Sequence, residues 1–323
     1  MVAQLVILAT ALIGLEADWP IPYDGIPLMT QDGLLFDIEA PTASIGAGSN
    51  GVFSNFGYLQ VNGWLFHTAS PLKLVRHLNG GRTVVAGPAT APGGLIVTRK
   101  VYVPWEAGKN YARFVDVISN DSDQQQYALV QFFGFSGLGW LAEFKPQGDD
   151  FIVIAGSLSS TGPLPEFGIL HQRGLGFRPE RATDVIFYDG GLFSKAYLFV
   201  PIKPHGKVTF VHFVVQVLPD HTLAQAGRGT AEIASGEVGT AELGDTADFA
   251  NVDRSDILAL YNFFIDTDVN MDGYVNVLDM ILVRNDLGKT PQSARNPRCD
   301  ANHDARIDVL DLLLVRNDLG WPF

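Results

Sequence analysis

Three scarcities limit what this sequence of 323 residues can be. Cys299 is its one cysteine, so no disulfide can form within the chain, and we expect a small, part-buried side chain there. Lys and Arg total 22 against 35 Asp and Glu, a net charge of -13. No nucleic-acid partner is expected, because phosphate contacts need clustered cations. Charged residues make up 18% and hydrophobic residues 47%, which predicts a mostly globular chain.

Recognisable catalytic motifs are also missing. There is no Walker loop, no dinucleotide fingerprint and no His-Glu-x-x-His, and Gly134–Leu138 lacks the last glycine of a nucleophile elbow. Glycosidase carboxylates need not be close in sequence, and four acids lie in predicted loops: Glu143, Asp149, Asp150 and Glu166. We expect these four to be solvated, and we predict a protein without catalytic or organic-cofactor residues.

The first residues form an apolar run that is too short to span a bilayer, Val2–Leu15. Two interpretations stay open for residues 1–18. In the first, they are the core of a secretion signal, although no Lys or Arg precedes the run. In the second, they are an ordered segment that docks within its own domain or within a neighbour's. No transmembrane span is expected in the chain.

Residues 19–220 alternate short apolar runs with Gly, Pro, Asn and Asp. Val, Ile, Phe and Tyr dominate the runs, which predicts about ten strands without intervening helices and hence a large antiparallel β-sandwich. The run Val208–Leu218 alternates most clearly, with Phe210, His212 and Val214 on one face and a nearly all-apolar opposite face. We therefore interpret His212 as a strand residue and not as a ligand.

The composition changes after Pro219. Residues 221–250 are rich in Ala and Gly and predict a linker or helical connector. Asn251–Ile265 has apolar residues at helical spacing and predicts a helix that Asp253 or Ser255 caps. It opens a separate module over residues 251–323.

An internal repeat is the strongest signal in the sequence. Asn276–Gly288 and Asp308–Gly320 are identical at ten of thirteen positions, at an offset of 32 residues. Each copy has helical apolar spacing and begins within the last residues of an oxygen-rich loop, Asp268–Asp279 or Asp300–Asp311.

The loops place oxygen side chains at positions one, three, five, nine and twelve, and the main-chain carbonyl at position seven adds another ligand. Such a set favours calcium, which takes six to eight oxygens, so we predict two Ca²⁺ ions. The predicted ligands are Asp268, Asn270, Asp272, Tyr274, Asn276 and Asp279 in the first loop, and Asp300, Asn302, Asp304, Arg306, Asp308 and Asp311 in the second.

Position six of each loop calls for a left-handed backbone, which Gly273 adopts freely. Ala305 stands there in the second loop and should cost about 1 kcal/mol. Residues 253–323 hold twelve Asp, no Glu and seven Lys plus Arg, a net charge of −5 that two calcium ions would nearly neutralise. Without metal the module is expected to be loose.

The paired loops and following helices resemble the dockerin type I family over residues 251–321, which implies a small α-helical, EF-hand-like module. Family members bind cohesin modules through helix residues beside the loops, often a Ser-Thr pair. Here these positions hold Val277-Leu278 and Val309-Leu310, apolar pairs that suit burial against the chain's own sandwich or against another partner. Ile96–Asn120 also resembles β-rich regions of exported bacterial proteins.

The fold class is therefore mainly β, a sandwich followed by a dockerin-like module. We predict an exported, calcium-binding, non-catalytic structural protein that assembles, as in a filament, into an extracellular or cell-surface structure. The alternative is a carbohydrate-binding or carbohydrate-active protein that its dockerin anchors to a cohesin partner. Trp64, Trp105, Trp140 and Phe135 are candidates for a sugar platform, although core packing is the simpler role for most of them.

Overall fold

The computed structural model describes residues 19–20, 25–49, 53–69, 72–75, 79–107, 109–136, 141–144, 151–155, 167–172, 185–189, 192–216, 249, 252–263, 265–302 and 304–320. The apolar segment 1–18 and, except for Phe249, the connector 221–250 lie outside these residues. So do Trp140 and the loop acids Asp149, Asp150 and Glu166, and the description of Glu143 is limited to its backbone.

Two antiparallel sheets form the large domain and confirm the mainly β prediction. Sheet A has nine strands in the spatial order β1 (Trp19–Pro20), β7 (Lys73–Val75), β8 (Thr83–Thr90), β9 (Ile96–Tyr102), β10 (Tyr111–Asn120), β17 (Gly206–Gln216), β14 (Phe167–Gln172), β13 (Phe151–Ala155) and β12 (Leu141–Phe144). Sheet B has β15 (Val185–Asp189), β16 (Leu192–Ile202), β11 (Gln126–Ser136), β5 (Phe53–Val61), β4 (Ser44–Gly48), β3 (Leu35–Glu39) and β2 (Ile26–Met29), with β6 (Trp64–Leu65) paired to β5.

The main core lies between the sheets, where inward side chains alternate along each strand. Phe36, Phe56 and Phe132 of sheet B meet Phe114 and Phe210 of sheet A, and all five are buried. Burying such large apolar side chains contributes roughly 1.5–3 kcal/mol each relative to exposure. This layer supplies much of the stability of the sandwich.

One ion pair lies inside the core. Arg99 Nε is 2.6 Å from Asp116 Oδ1 and its Nη2 is 2.9 Å from Oδ2, a bidentate geometry that compensates two buried charges. The guanidinium lies over the Phe114 ring at 5.0 Å, and His212 also stacks on Phe114, with ring centroids 4.5 Å apart. His212 is thus a buried strand residue, as the alternation predicts.

The outer face of β10 and β17 is apolar and forms a second core with the C-terminal part of the chain. Val115 and Phe213 of these strands lie in one cluster with Phe263, Val275 and Ile307. Phe213 and Phe263 pack edge to face with centroids 5.8 Å apart. Both faces of β17 are therefore covered, and each of its residues from Val208 to Gln216 is buried.

Among the described residues after β17 there are three α-helices, α1 (Arg254–Ile257), α2 (Val277–Asp286) and α3 (Val309–Asn317), and one 3-10 helix, Pro297–Cys299. The helix predicted over Asn251–Ile265 is therefore wrong beyond Ile257. The backbone there pairs with the first half of β17, since Thr209 N donates to Ala259 O and Tyr261 N donates to Thr209 O, both at 2.8 Å. These bonds with a distant strand replace those that would have continued the helix.

Asn262 completes this attachment with its side chain. Its Oδ1 accepts from Val211 N at 3.0 Å and its Nδ2 donates to Val211 O at 2.6 Å, so one amide replaces a backbone partner for β17. Asp256 adds a buried carboxylate that pairs with Lys100 at 2.8 Å and with Lys207. The segment that enters the C-terminal module is thus hydrogen-bonded and ion-paired to the sandwich.

Within the described part of the chain, no helix is long and apolar enough to cross a membrane.

Replacing Asn262 with alanine removes both partners of the Val211 backbone in a buried site. Each buried polar group left unsatisfied costs about 1–3 kcal/mol, so we expect the free energy of unfolding in urea to fall by about 2–4 kcal/mol. Asn285→Ala, at an exposed position of α2, is the matched control and should change it by less than about 0.5 kcal/mol. An equally small effect of Asn262→Ala would show that the attachment does not stabilise the fold.

Candidate metal centre

Each candidate loop ends at the first turn of a helix, where its last residues form a reciprocal cap. Asn276 Oδ1 accepts from Leu278 N at 2.8 Å, and Asp308 Oδ1 accepts from Leu310 N at 2.7 Å. In both helices the aspartate three residues later accepts from the backbone amide of the capping residue. A polar residue followed three positions later by an acid is the sequence signature of such a capping box.

The first loop curls around its two end carboxylates. Asp268 Oδ1 accepts from Asp272 N at 3.1 Å, and its Oδ2 accepts from Gly273 N at 2.8 Å. Asp279 accepts from Asn270 N at 3.0 Å and from Asn276 N at 2.8 Å. The two carboxylates that close the loop therefore also order its backbone.

The second loop repeats this pattern bond for bond. Asp300 accepts from the amides of Asp304 at 3.1 Å and Ala305 at 3.0 Å. Asp311 accepts from Asn302 N at 3.1 Å and from Asp308 N at 2.8 Å. The sequence repeat is thus a repeat of geometry.

Backbone hydrogen bonds join the repeats reciprocally. Gly288 N donates to Ile307 O and Gly320 N donates to Val275 O, each at 2.8 Å. The four residues occupy equivalent positions 32 apart, so the module has an approximate two-fold relation between its halves. Val275 and Ile307 are both fully buried.

The carboxylates of the first loop are partly shielded from water. Burial raises the pKa of Asp268 to about 6, and the charges of Asp279 and Asp272 act in the same direction. Burial is also the main cause that raises the pKa of Asp279. A bound cation would relieve both effects, because it favours the ionised carboxylates.

The donor set fits a hard cation. The twelve predicted ligands are all described, and in each loop they bring carboxylate, Asn amide and main-chain carbonyl oxygens to one turn of chain. Among the described residues, no three His, Cys, Asp or Glu side chains converge closely enough to hold a metal by themselves. Calcium sites of this kind also use amide and carbonyl oxygens, so the mixed set suits calcium.

Asp286, which lies between the loops, was not predicted from the sequence to be a functional residue. Its buried carboxylate accepts from Asn296 N at 3.0 Å and pairs with Lys289, so it joins α2 to the chain that leads to the second loop. Its equivalent Asp318 accepts from Thr267 Oγ1 at 2.7 Å. Both aspartates belong to the repeated segment, a signal that could have identified them.

Cys299 is buried beside this carboxylate, with its Sγ 3.8 Å from Asp286 Oδ2. Burial and the charge of Asp286 raise the pKa of the thiol to about 12, so it stays protonated and unreactive at neutral pH. The thiol is fully buried, more than the part-buried side chain expected from the sequence.

Comparison with protein families identifies the module. Residues 266–320 match the dockerin type I domain. The resemblance inferred from the repeats is confirmed, and the match implies calcium as the ligand of the dockerin segment and a cohesin-like protein as its partner. None of the curated proteins matches the chain.

Solved structures similar to the chain include three distant ones. A protein described as a kojibiose phosphorylase from the human microbiome is 12% identical with a TM-score of 0.41, over 72% of this chain and 29% of that one. A polysaccharide lyase is 11% identical with a TM-score of 0.34, over 61% and 33%. Slr1438 of Synechocystis sp. PCC 6803 is 8% identical with a TM-score of 0.32, over 63% and 98%. The chain thus spans about a third of the length of the first two.

The prediction of a non-catalytic chain is wrong: two of the similar solved structures are described as a kojibiose phosphorylase and a polysaccharide lyase. The absence of a sequence motif was a poor guide, since catalytic carboxylates can lie far apart in sequence. At TM-scores below 0.5 these structures assign neither reaction nor substrate to this chain.

Ala305 has φ 67°, and Gly273 has φ 87° at the equivalent position. Replacing Ala305 with glycine should stabilise the calcium-bound second loop by about 1 kcal/mol and raise its calcium affinity about fivefold, because the left-handed backbone no longer strains a Cβ. Gly273→Ala is the reciprocal change and should weaken the first loop. Calorimetric calcium titration of both variants measures this, and equal affinities in wild type and Ala305→Gly would contradict it.

Proposed function

We propose that the chain is anchored through its dockerin module to a cohesin-like protein outside the cell or at its surface. Two calcium ions order the module, one in each loop, with the twelve predicted loop residues as ligands. The dockerin module binds the partner, and the β-sandwich is the part that this attachment holds in place. This is the alternative that the sequence left open, and it replaces the non-catalytic filament hypothesis.

The observation that supports attachment is the exposure of both apolar pairs. Val277 and Leu278 are 61% and 54% exposed, and Val309 and Leu310 are 59% and 51% exposed. With more than half of each side chain exposed, neither pair is buried against the described part of the sandwich, one of the two roles that the sequence suggested. Apolar pairs left in water at equivalent places favour the other role, contact with a partner.

The same helices extend each apolar surface. Ile281 follows the first pair on α2 at 43% exposure, and Leu313 and Leu314 follow the second on α3 at 36% and 39%. A partner that covers these side chains needs an apolar surface, whereas a partner of a Ser-Thr pair needs hydrogen-bonding groups on its surface. We infer that the partner is a cohesin-like module with an apolar recognition surface.

Calcium acts on this surface through the helix starts. The pairs occupy the first turns of α2 and α3, directly after the capping residues Asn276 and Asp308. An ion that holds the loop fixes the cap and thereby the direction of each exposed pair. Partner binding is therefore expected to need calcium.

For the sandwich we propose a carbohydrate-binding role. Several aromatic side chains of the large domain are exposed to solvent. Two of them were candidates for a sugar platform: Trp105 is 57% exposed and Phe135 is 43% exposed. Trp64 is half-buried. Exposed rings can stack on the apolar faces of sugars, and core packing does not explain them.

The attachment is tested with the double variant Leu278→Asp, Leu310→Asp against a panel of cohesin modules. Pull-down and calorimetry should show calcium-dependent binding of wild type that the variant loses by at least about thirtyfold, the effect of a hot-spot contact of about 2 kcal/mol. Gln292→Asp, an exposed change in the loop between the helices, should bind as wild type.

A second variant tests the chemistry of the surface. Changing both pairs to Ser-Thr should transfer binding to cohesins that recognise Ser-Thr dockerins and abolish binding to the wild-type partner. Unchanged binding of the Asp variant, binding in chelator, or no cohesin partner for wild type would each overturn the proposal. Calcium-dependent self-association in light scattering, in place of cohesin binding, would return the filament hypothesis.

A further inference from the structure

The outer face of sheet B carries a group of half-buried polar and aromatic side chains on three strands that are close in the sheet. We call it the polar band, and its members are Asp37, Glu39, Tyr58, Gln60, Gln131 and Phe133. β3 contributes the two acids, β5 contributes Tyr58 and Gln60, and β11 contributes the last two.

Strand alternation presents both acids on the same face. Phe36 and Ile38 are fully buried in the core, so Asp37 and Glu39 point to the other side of β3. Residues two apart on a strand are about 7 Å apart. Two carboxylates therefore stand side by side on a surface that is only partly open to water.

The aromatic part of the band lies beside them. Tyr58 and Phe133 stack with ring centroids 5.3 Å apart and an interplanar angle of 29°. Glu39 lies across the next strand, because a Cβ on Gly46 would come within 1.8 Å of its Oε1. The missing side chain at Gly46 lets the carboxylate lie along the sheet toward Tyr58, with which it interacts electrostatically.

The two carboxylates have no hydrogen-bond donor among the described residues. Neither the Asp37 nor the Glu39 side chain makes an ion pair within the same residues. Burial raises the pKa of both groups, and the charge of Asp37 raises that of Glu39 further. A ligand with hydroxyl groups would supply donors to these partly buried acceptors in place of water.

We propose that the polar band binds a neutral carbohydrate, with a sugar ring against Tyr58 and Phe133 and its hydroxyls donating to Asp37 and Glu39. The inference rests on the proposed carbohydrate role of the sandwich and assigns it a place. Gln60 and Gln131 are paired across β5 and β11 and extend the band with amide groups. Aromatic faces with amide and carboxylate neighbours match the apolar and hydroxyl surfaces of a sugar.

Charge selects the class of carbohydrate. Two carboxylates in the band and a net charge of -13 on the chain repel acidic sugars. The aromatic stack next to the acids can contact the apolar face of a sugar ring. A bare metal ion would make no use of such a surface. A neutral glycan is therefore the occupant that the band fits.

Affinity gel electrophoresis of the full chain with calcium tests the proposal. The probes are neutral glucan, xylan and mannan, with polygalacturonate as the acidic control. At least one neutral polymer should retard wild type, and polygalacturonate should not. Asp37→Asn and Glu39→Gln keep the shape of each side chain and should each weaken retardation about tenfold, because each loses hydrogen bonds to a charged acceptor.

Asp121→Asn, an exposed change in the turn before β11, is the matched control and should bind as wild type. Thermal unfolding of every variant shows that a loss of binding is not a loss of fold. Retardation of wild type that neither band variant changes would overturn the site and leave the carbohydrate role standing. No retardation by any neutral polymer, or retardation by polygalacturonate alone, would overturn both. Cohesin binding is measured separately and is not affected by either outcome.

Discussion

The apolar contact between the outer face of β10 and β17 and the C-terminal part of the chain is the interaction on which the rest of the structure depends. Phe213 of the sandwich packs on Phe263, and the same cluster continues to the buried Val275 and Ile307 of the two loops. Because one core reaches from the sandwich to the metal loops, the two parts are expected to gain and lose stability together. The module is thus mounted on the sandwich in a defined orientation.

The calcium loops add an electrostatic constraint to this apolar one. Asp268 and Asp300 each accept two amides of their own loop, so the backbone is partly organised by the carboxylates that would bind the ion. The remaining charge is what a divalent cation can compensate. Metal binding and folding of the module are therefore expected to be coupled, and Ala305 is one position at which the two loops differ.

Two separate exposed surfaces are proposed to bind the two kinds of ligand, a protein and a carbohydrate. The first turns of α2 and α3 present apolar pairs to a protein partner, and the polar band of sheet B presents acids and stacked rings to a carbohydrate. The residues that join the module to the sandwich, Asp256 and Asn262, belong to neither surface. A rigid joint between them would hold a bound glycan in a set direction relative to the anchor.

Sequence alone determined the features that depend on local spacing. The 32-residue repeat identified the two loops and their dockerin character, and alternation along Val208–Leu218 assigned the faces of β17, including the buried His212. Tertiary structure decided the rest. It ended the predicted helix at Ile257, because Val211 and Asn262 pair although they are 51 residues apart, and it left Leu278 and Leu310 in water. It also placed Glu39 near Tyr58 through the register of β3, β4 and β5. Local patterns record periodicity and ligand spacing, whereas contacts between distant segments depend on which strands pair and which faces are covered.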